Sequence, residues 1–170
     1  MNNATFPGLL KKLNQLEYDY DDGEGIDFEP FEEFTSLEDT NDWLHSWTGN
    51  PNADGSIFLI FGQDGSGGYA AFWLVNVDNP LDEQPIVFLG SEGERGVVAS
   101  NLDDYLWVLA SGHGPYEAIA YLDEEKEPSE PFLEFANQHS QKSNGNGVEL
   151  CKDANKKYLG FSDFIDSICD

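Results

Sequence analysis

The sequence predicts an α+β fold, a small antiparallel β-sheet arranged as a meander with helices packed around it. Three observations carry this. Short β-branched and aromatic runs recur through residues 56–99, separated by turns rich in glycine, proline and aspartate. Before and after that stretch, apolar residues return at the three- and four-residue spacing of amphipathic helices. Residues 58–61 and 70–75 are apolar without a break, which describes strands covered on both faces.

Taken in order, Phe6, Leu9, Leu10, Leu13 and Leu16 define a first helix, with Pro7 in its opening turn. Residues 18–34, YDYDDGEGIDFEPFEEF, show no clean period and read as an acidic loop pinned by Phe28, Phe31 and Phe34. A second helix over 36–47 presents Trp43, Leu44 and Trp47 on one face, capped by Asp39 or Asn41. Strands are expected at 56–61, 69–77, 85–89 and 96–99. The glycines of residues 62–68 suit the positive-φ positions of a wide hairpin turn. Asn101 caps an apolar helix, Asp103 and Asp104 oppose its dipole, and Gly112 ends it. Pro115 opens a short helix over 116–121. Helices over 131–139, 148–159 and 161–168 close the chain, with a polar loop at 138–147 that is expected to be mobile.

At 170 residues the chain fits one domain: an N-terminal helix and acidic segment (1–35), a core (36–122) and C-terminal helices (123–170). No 18-residue apolar run or secretory signal is visible, so a cytoplasmic protein without a membrane span is expected. Cys151 and Cys169 form no C-x-x-C pair and are read as thiols.

Charge is the strongest compositional feature. Acids outnumber bases 33 to 8, for a net charge of −25. Between Leu13 and Glu94 there are 19 acids and no lysine or arginine, and twelve of those acids fall between Glu17 and Asp42. Such a field repels phosphate backbones and anionic membranes, so neither nucleic acid nor membrane is expected as a partner. It attracts basic proteins and speeds their encounter.

Several motifs fail on spacing. Counted from Asp19, a calcium loop would need an acid at Gly23 and glycine at Glu24. Counted from Asn50, its twelfth position would be Phe61, which cannot ligate. The glycine-rich hairpin lacks the lysine and following helix of a phosphate loop. Ser91 has Leu89 where a nucleophile elbow needs glycine. His113 is the best-placed histidine for chemistry, alone or with Glu92 or Glu94, but it has no evident histidine or cysteine neighbour and reads as a turn residue. No catalytic residue, metal or cofactor is expected.

The middle of the chain resembles the SUKH superfamily, which includes fungal cell-wall assembly regulators, the Syd protein and bacterial toxin-immunity proteins. The resemblance covers about residues 43–120. It lies in the order and spacing of WTGN at 47–50, IFLIFGQDGSGGYAAFWL from Ile57, and QPIVFLGSEGERGVVASNLDDYLWVLASGHGPYEA from Gln84. It implies an α+β fold without catalytic machinery, and an immunity-type protein that binds and neutralises a toxin domain, often a nuclease. A protein-interaction scaffold without a toxin is the alternative. A basic nuclease-like partner would complement the acidic surface, and Asp19, Asp21, Asp22, Glu24, Asp27, Glu29, Asp64, Glu92 and Glu94 are the acids expected to meet it.

Overall fold

Side chains alternate across a strand, so the unbroken apolar runs must feed two cores. In the computed structural model, which describes residues 4–170, they do. Five strands form one antiparallel sheet in chain order: β1 (Glu29–Pro30), β2 (Phe58–Gln63), β3 (Tyr69–Trp73), β4 (Ile86–Leu89) and β5 (Arg95–Ala99). Leu59, Phe61, Phe72, Phe88 and Val98 pack on one side with α1 (Gly8–Leu13), α3 (Leu102–Ala110) and α5 (Glu130–His139). Phe58, Ile60, Trp73, Val87 and Val97 pack on the other with α2 (Leu37–Thr48) and α7 (Phe161–Ile168). Between α3 and α5 comes the short α4 (Pro115–Ala120), and α6 (Gly147–Lys157) precedes α7.

Four details depart from the sequence expectation. The acidic loop contains a strand, since Glu29 pairs with Gln63 and Pro30 with Gly62. Two residues, one of them proline, carry no alternation that could announce a strand. What fixes them is Phe28, whose ring lies where a Cβ on Gly62 would stand. Second, Ser36 caps α2, its hydroxyl accepting from the Asp39 backbone N–H at 3.1 Å. Asn41 instead accepts from the Gly55 N–H at 2.8 Å, tying α2 to the start of β2. Third, α1 spans only six residues, and Pro7 stands at its N-cap rather than within the first turn. Fourth, β3 stops at Trp73. Val75 and Val77 leave the sheet and are exposed.

The free edge of β5 is covered by α6. Asn155 donates from Nδ2 to the Val97 carbonyl at 2.7 Å and accepts from the Val97 N–H at 3.1 Å. One side-chain amide thus imitates a neighbouring strand and closes the edge. Asn155→Ala is expected to cost about 2 kcal/mol, because the Val97 N–H loses its side-chain partner and the Val97 carbonyl keeps only the weak Cys151 thiol donor at 3.5 Å. The check is a lower urea midpoint at unchanged slope.

Candidate acidic binding site

The acid-rich segment is folded by its own short contacts. Asp19 Oδ1 accepts from the Asp21 N–H at 2.9 Å, and the Asp19 carbonyl accepts from Ile26 N–H at 2.8 Å. Asp21 and Asp22 hold φ of 45° and 50°, a left-handed conformation that aspartate tolerates better than most residues. A Cβ on Gly25 would lie 2.0 Å from the Asp19 carbonyl oxygen, so the loop closes only around glycine. Ile26 and Phe28 are then buried. Tyr18 packs on Phe28 and Phe132, and burial holds its hydroxyl well above the usual phenol range.

Two pockets flank this segment. The first, about 330 Å³, has Glu17, Asp19, Asp21, Glu24 and Glu127 on its walls, with Ile26, Phe132 and two prolines among them. The second, about 450 Å³, is lined by Tyr20, Asp27, Asp64, Ser66, Tyr116, Glu117, Tyr121, Glu124 and Lys126. Together they gather nine carboxylates from four separate parts of the chain around one lysine.

Glu117 anchors the second pocket. As the third residue of α4 it reaches back to the N-cap, its Oε1 accepting from the Gly114 N–H at 2.9 Å, the half of a capping box that a glycine N-cap allows. Its Oε2 accepts from the Asp27 N–H at 3.3 Å, which fastens the acidic segment to α4. Only 5% of the residue is exposed. Burial pushes its pKa up to about 7, outweighing the opposite pull of the two N–H groups and of Lys126. Lys126 does not pair with it. The ammonium donates to the carbonyls of Glu24 and Gly25 at 3.3 and 3.1 Å.

The nine acids expected from sequence are divided by the fold. Asp19, Asp21 and Glu24 line the first pocket, and Asp27 and Asp64 line the second. Asp22 is exposed and lines neither. Glu29, in β1, accepts from Gln63 Nε2 at 2.8 Å. Glu94 accepts from the Glu92 N–H at 2.9 Å, inside the β4–β5 turn, away from both pockets. Asp64 is not a free rim acid. It is 3% exposed and accepts from the Gly68 N–H at 2.6 Å and the Ser66 hydroxyl at 2.7 Å, so it holds the β2–β3 hairpin.

Sequence reasoning missed Glu17, Glu117, Glu124, Glu127 and the three tyrosines. Of these, Glu17 and Tyr20 stood in or beside the acidic run, and Glu117 stands three residues after Gly114 and just past a helix-opening proline.

The other reactive side chains are tied into the fold. His113 is buried, with Nδ1 at 3.0 Å from the Ser111 hydroxyl and Nε2 at 3.3 Å from the Glu124 carbonyl. Burial lowers its pKa below the ordinary value. Cys151 lies in the core, where burial raises its thiol to about 12. Among the described residues, no group of three or more histidines, cysteines or acids is arranged to hold a metal ion. No helix among them is long and apolar enough to cross a membrane.

Fold and site together define an α+β protein with an acidic, two-pocket face. Comparison with protein-family models, with curated proteins and with solved structures gives no significant match.

Proposed function

We propose that the protein binds a basic protein partner and blocks it by stoichiometric occlusion, and that this partner is a toxin domain of nuclease-like character. The observation that supports this is the convergence of nine carboxylates on two adjoining pockets. A surface of that sign favours a cationic partner over nucleic acid. A nuclease domain must be basic to hold its substrate, and an acidic protein seated in its groove takes the place of the phosphates. The toxin-neutralising form of this reading rests on the resemblance of residues 43–120 to the SUKH superfamily. On this reading the protein does no chemistry. Its work is to arrive fast and stay.

The test is stopped-flow association with a basic nuclease-like domain encoded beside this protein. The on-rate is expected to fall about 100-fold between 20 and 500 mM NaCl. The triple variant Asp19→Asn, Asp21→Asn, Glu24→Gln is expected to slow it about tenfold at the lower salt. An on-rate indifferent to both would remove the electrostatic part. Capture of several unrelated partners, with no inhibition of a toxin, would favour the scaffold.

A further inference from the structure

We propose that Asn144 is a modification site: in the folded protein it converts, without an enzyme, to aspartate and isoaspartate, while Asn146, two residues on, is shielded. The inference concerns the loop between α5 and α6 and does not depend on what the acidic face binds.

Asn144 and Asn146 are the two asparagines of the chain that glycine follows. A following glycine has no Cβ to obstruct its own backbone nitrogen and leaves the local chain free to turn, so the side chain and that nitrogen can meet. In the reaction the Gly145 amide nitrogen, its proton lost to hydroxide, bonds to the side-chain amide carbon of Asn144. The bond from that carbon to the side-chain nitrogen breaks, and the nitrogen takes a proton from water and leaves as ammonia. One water then opens the five-membered imide at either carbonyl. One opening gives aspartate. The other gives isoaspartate, whose main chain runs through the former side chain and is longer by one methylene. The net change is one water consumed and one ammonia released, with no oxidant, reductant or cofactor.

The fold separates the two asparagines. Asn144 is exposed with φ of 55°, and among the described residues nothing hydrogen-bonds its side chain or the Gly145 N–H. Asn146 is the N-cap of α6. Its Oδ1 accepts from the Glu149 N–H at 3.1 Å, and its carbonyl accepts from the Leu150 N–H at 2.9 Å. The residue after it, Gly147, is buried against the backbone of α3. Ring closure at Asn146 therefore has to break the cap and turn the peptide that starts α6, whereas ring closure at Asn144 breaks no hydrogen bond of its side chain.

The change has a structural consequence. The loop is pinned on both sides of Asn144: the Lys142 N–H donates to the Ser140 hydroxyl at 3.0 Å, and a Cβ on Gly145 would stand 2.5 Å from Cγ of Trp107. An isoaspartate inserts its extra methylene between those two points, and one of them has to loosen.

The test is incubation of the full chain, folded, at pH 8, followed by peptide mapping with a fragmentation method that tells aspartate from isoaspartate. The mass change of an NH2 replaced by OH is expected to accumulate at Asn144 about fivefold faster than at Asn146, the factor that loss of one cap bond imposes. The same chain in concentrated urea is the reference, and there the two sites are expected to react at similar rates. In the isoaspartate fraction, separated by its added charge, the Gln141 and Lys142 amides are expected to exchange with solvent about fivefold faster. Asn146 reacting as fast as Asn144 in the folded protein, or a preference for Asn144 that persists in urea, would overturn the shielding. An Asn144 that stays intact when folded but reacts in urea would overturn the site itself. Unchanged amide exchange in the isoaspartate fraction would overturn the loosening.

Discussion

Gly147→Ala is expected to cost the fold about 3 kcal/mol, read as a lower urea midpoint with unchanged slope. Gly147 is the first residue of α6, where alanine would ordinarily gain about 1 kcal/mol in helix propensity. Here the sign reverses. A Cβ would stand 2.2 Å from the Trp107 carbonyl oxygen and 2.7 Å from both the Trp107 carbonyl carbon and the Val108 Cα. All three atoms belong to the backbone of α3, so no side chain can rotate to make room. The two helices would have to separate, and Cys151 and Asn155 would draw away from the sheet with α6. Gly8, at the start of α1, is the control. Nothing lies within 4 Å of its would-be Cβ, so Gly8→Ala is expected to be neutral or slightly stabilising.

That glycine also marks where sequence reading stops. Residues 138–147 are polar and glycine-containing, and composition reads them as a mobile loop. The structure ties them to α3. Trp107 donates from Nε1 to the Ser140 hydroxyl at 2.8 Å, Ser140 donates to Asp103 at 2.9 Å, and Lys142 meets Asp104 at 2.9 Å. Each bond joins residues more than thirty apart, which no local pattern encodes. Strands β2 to β5 were legible because their own side chains declare them, and unbroken apolar runs announced two covered faces. Asn101 was legible as a cap for the same reason, and its Oδ1 accepts from the Asp104 N–H at 2.7 Å. Strand β1 was not, because its pairing depends on Phe28 seated over Gly62. The candidate site divides likewise. Asp19 to Glu24 stood out as a charge run, whereas Glu117 reaches the Asp27 N–H across 90 residues. Charge density showed which segment bears the acids. It could not show that a helix start, a hairpin tip and the loop at 124–127 would gather beside it.

Stability is expected to fall by about 3 kcal/mol as pH rises from 4.5 to above 7, through Glu117 alone. In the unfolded chain this carboxyl has its ordinary pKa of 4.5, and in the folded protein burial raises it to about 7. The folded state therefore holds a proton that the unfolded state has lost, and stability declines with pH throughout that window. Below 4.5 both states are protonated and the contribution is fully present. Above 7 both are ionised and it is gone. Exposed acids also repel one another once charged, but ordinary carboxylates are ionised by about pH 5.5 and add little slope beyond it. His113 acts in the opposite direction. Its lowered pKa makes the folded state shed a proton that the unfolded chain keeps, so its contribution grows as pH rises toward 6.5. Subtracting the curve of Glu117→Gln from that of the natural protein removes the histidine and the exposed acids alike. The difference is expected to slope downward between pH 5.5 and 7.5 and to be flat above pH 8. The Gly114 and Asp27 N–H groups meet different carboxylate oxygens, and glutamine sets an NH2 donor against one of them, so the variant starts less stable. That offset is independent of pH and leaves the slope as the measurement. Urea midpoints taken at half-unit pH steps provide it, and a flat difference curve would mean that Glu117 titrates as an ordinary surface acid.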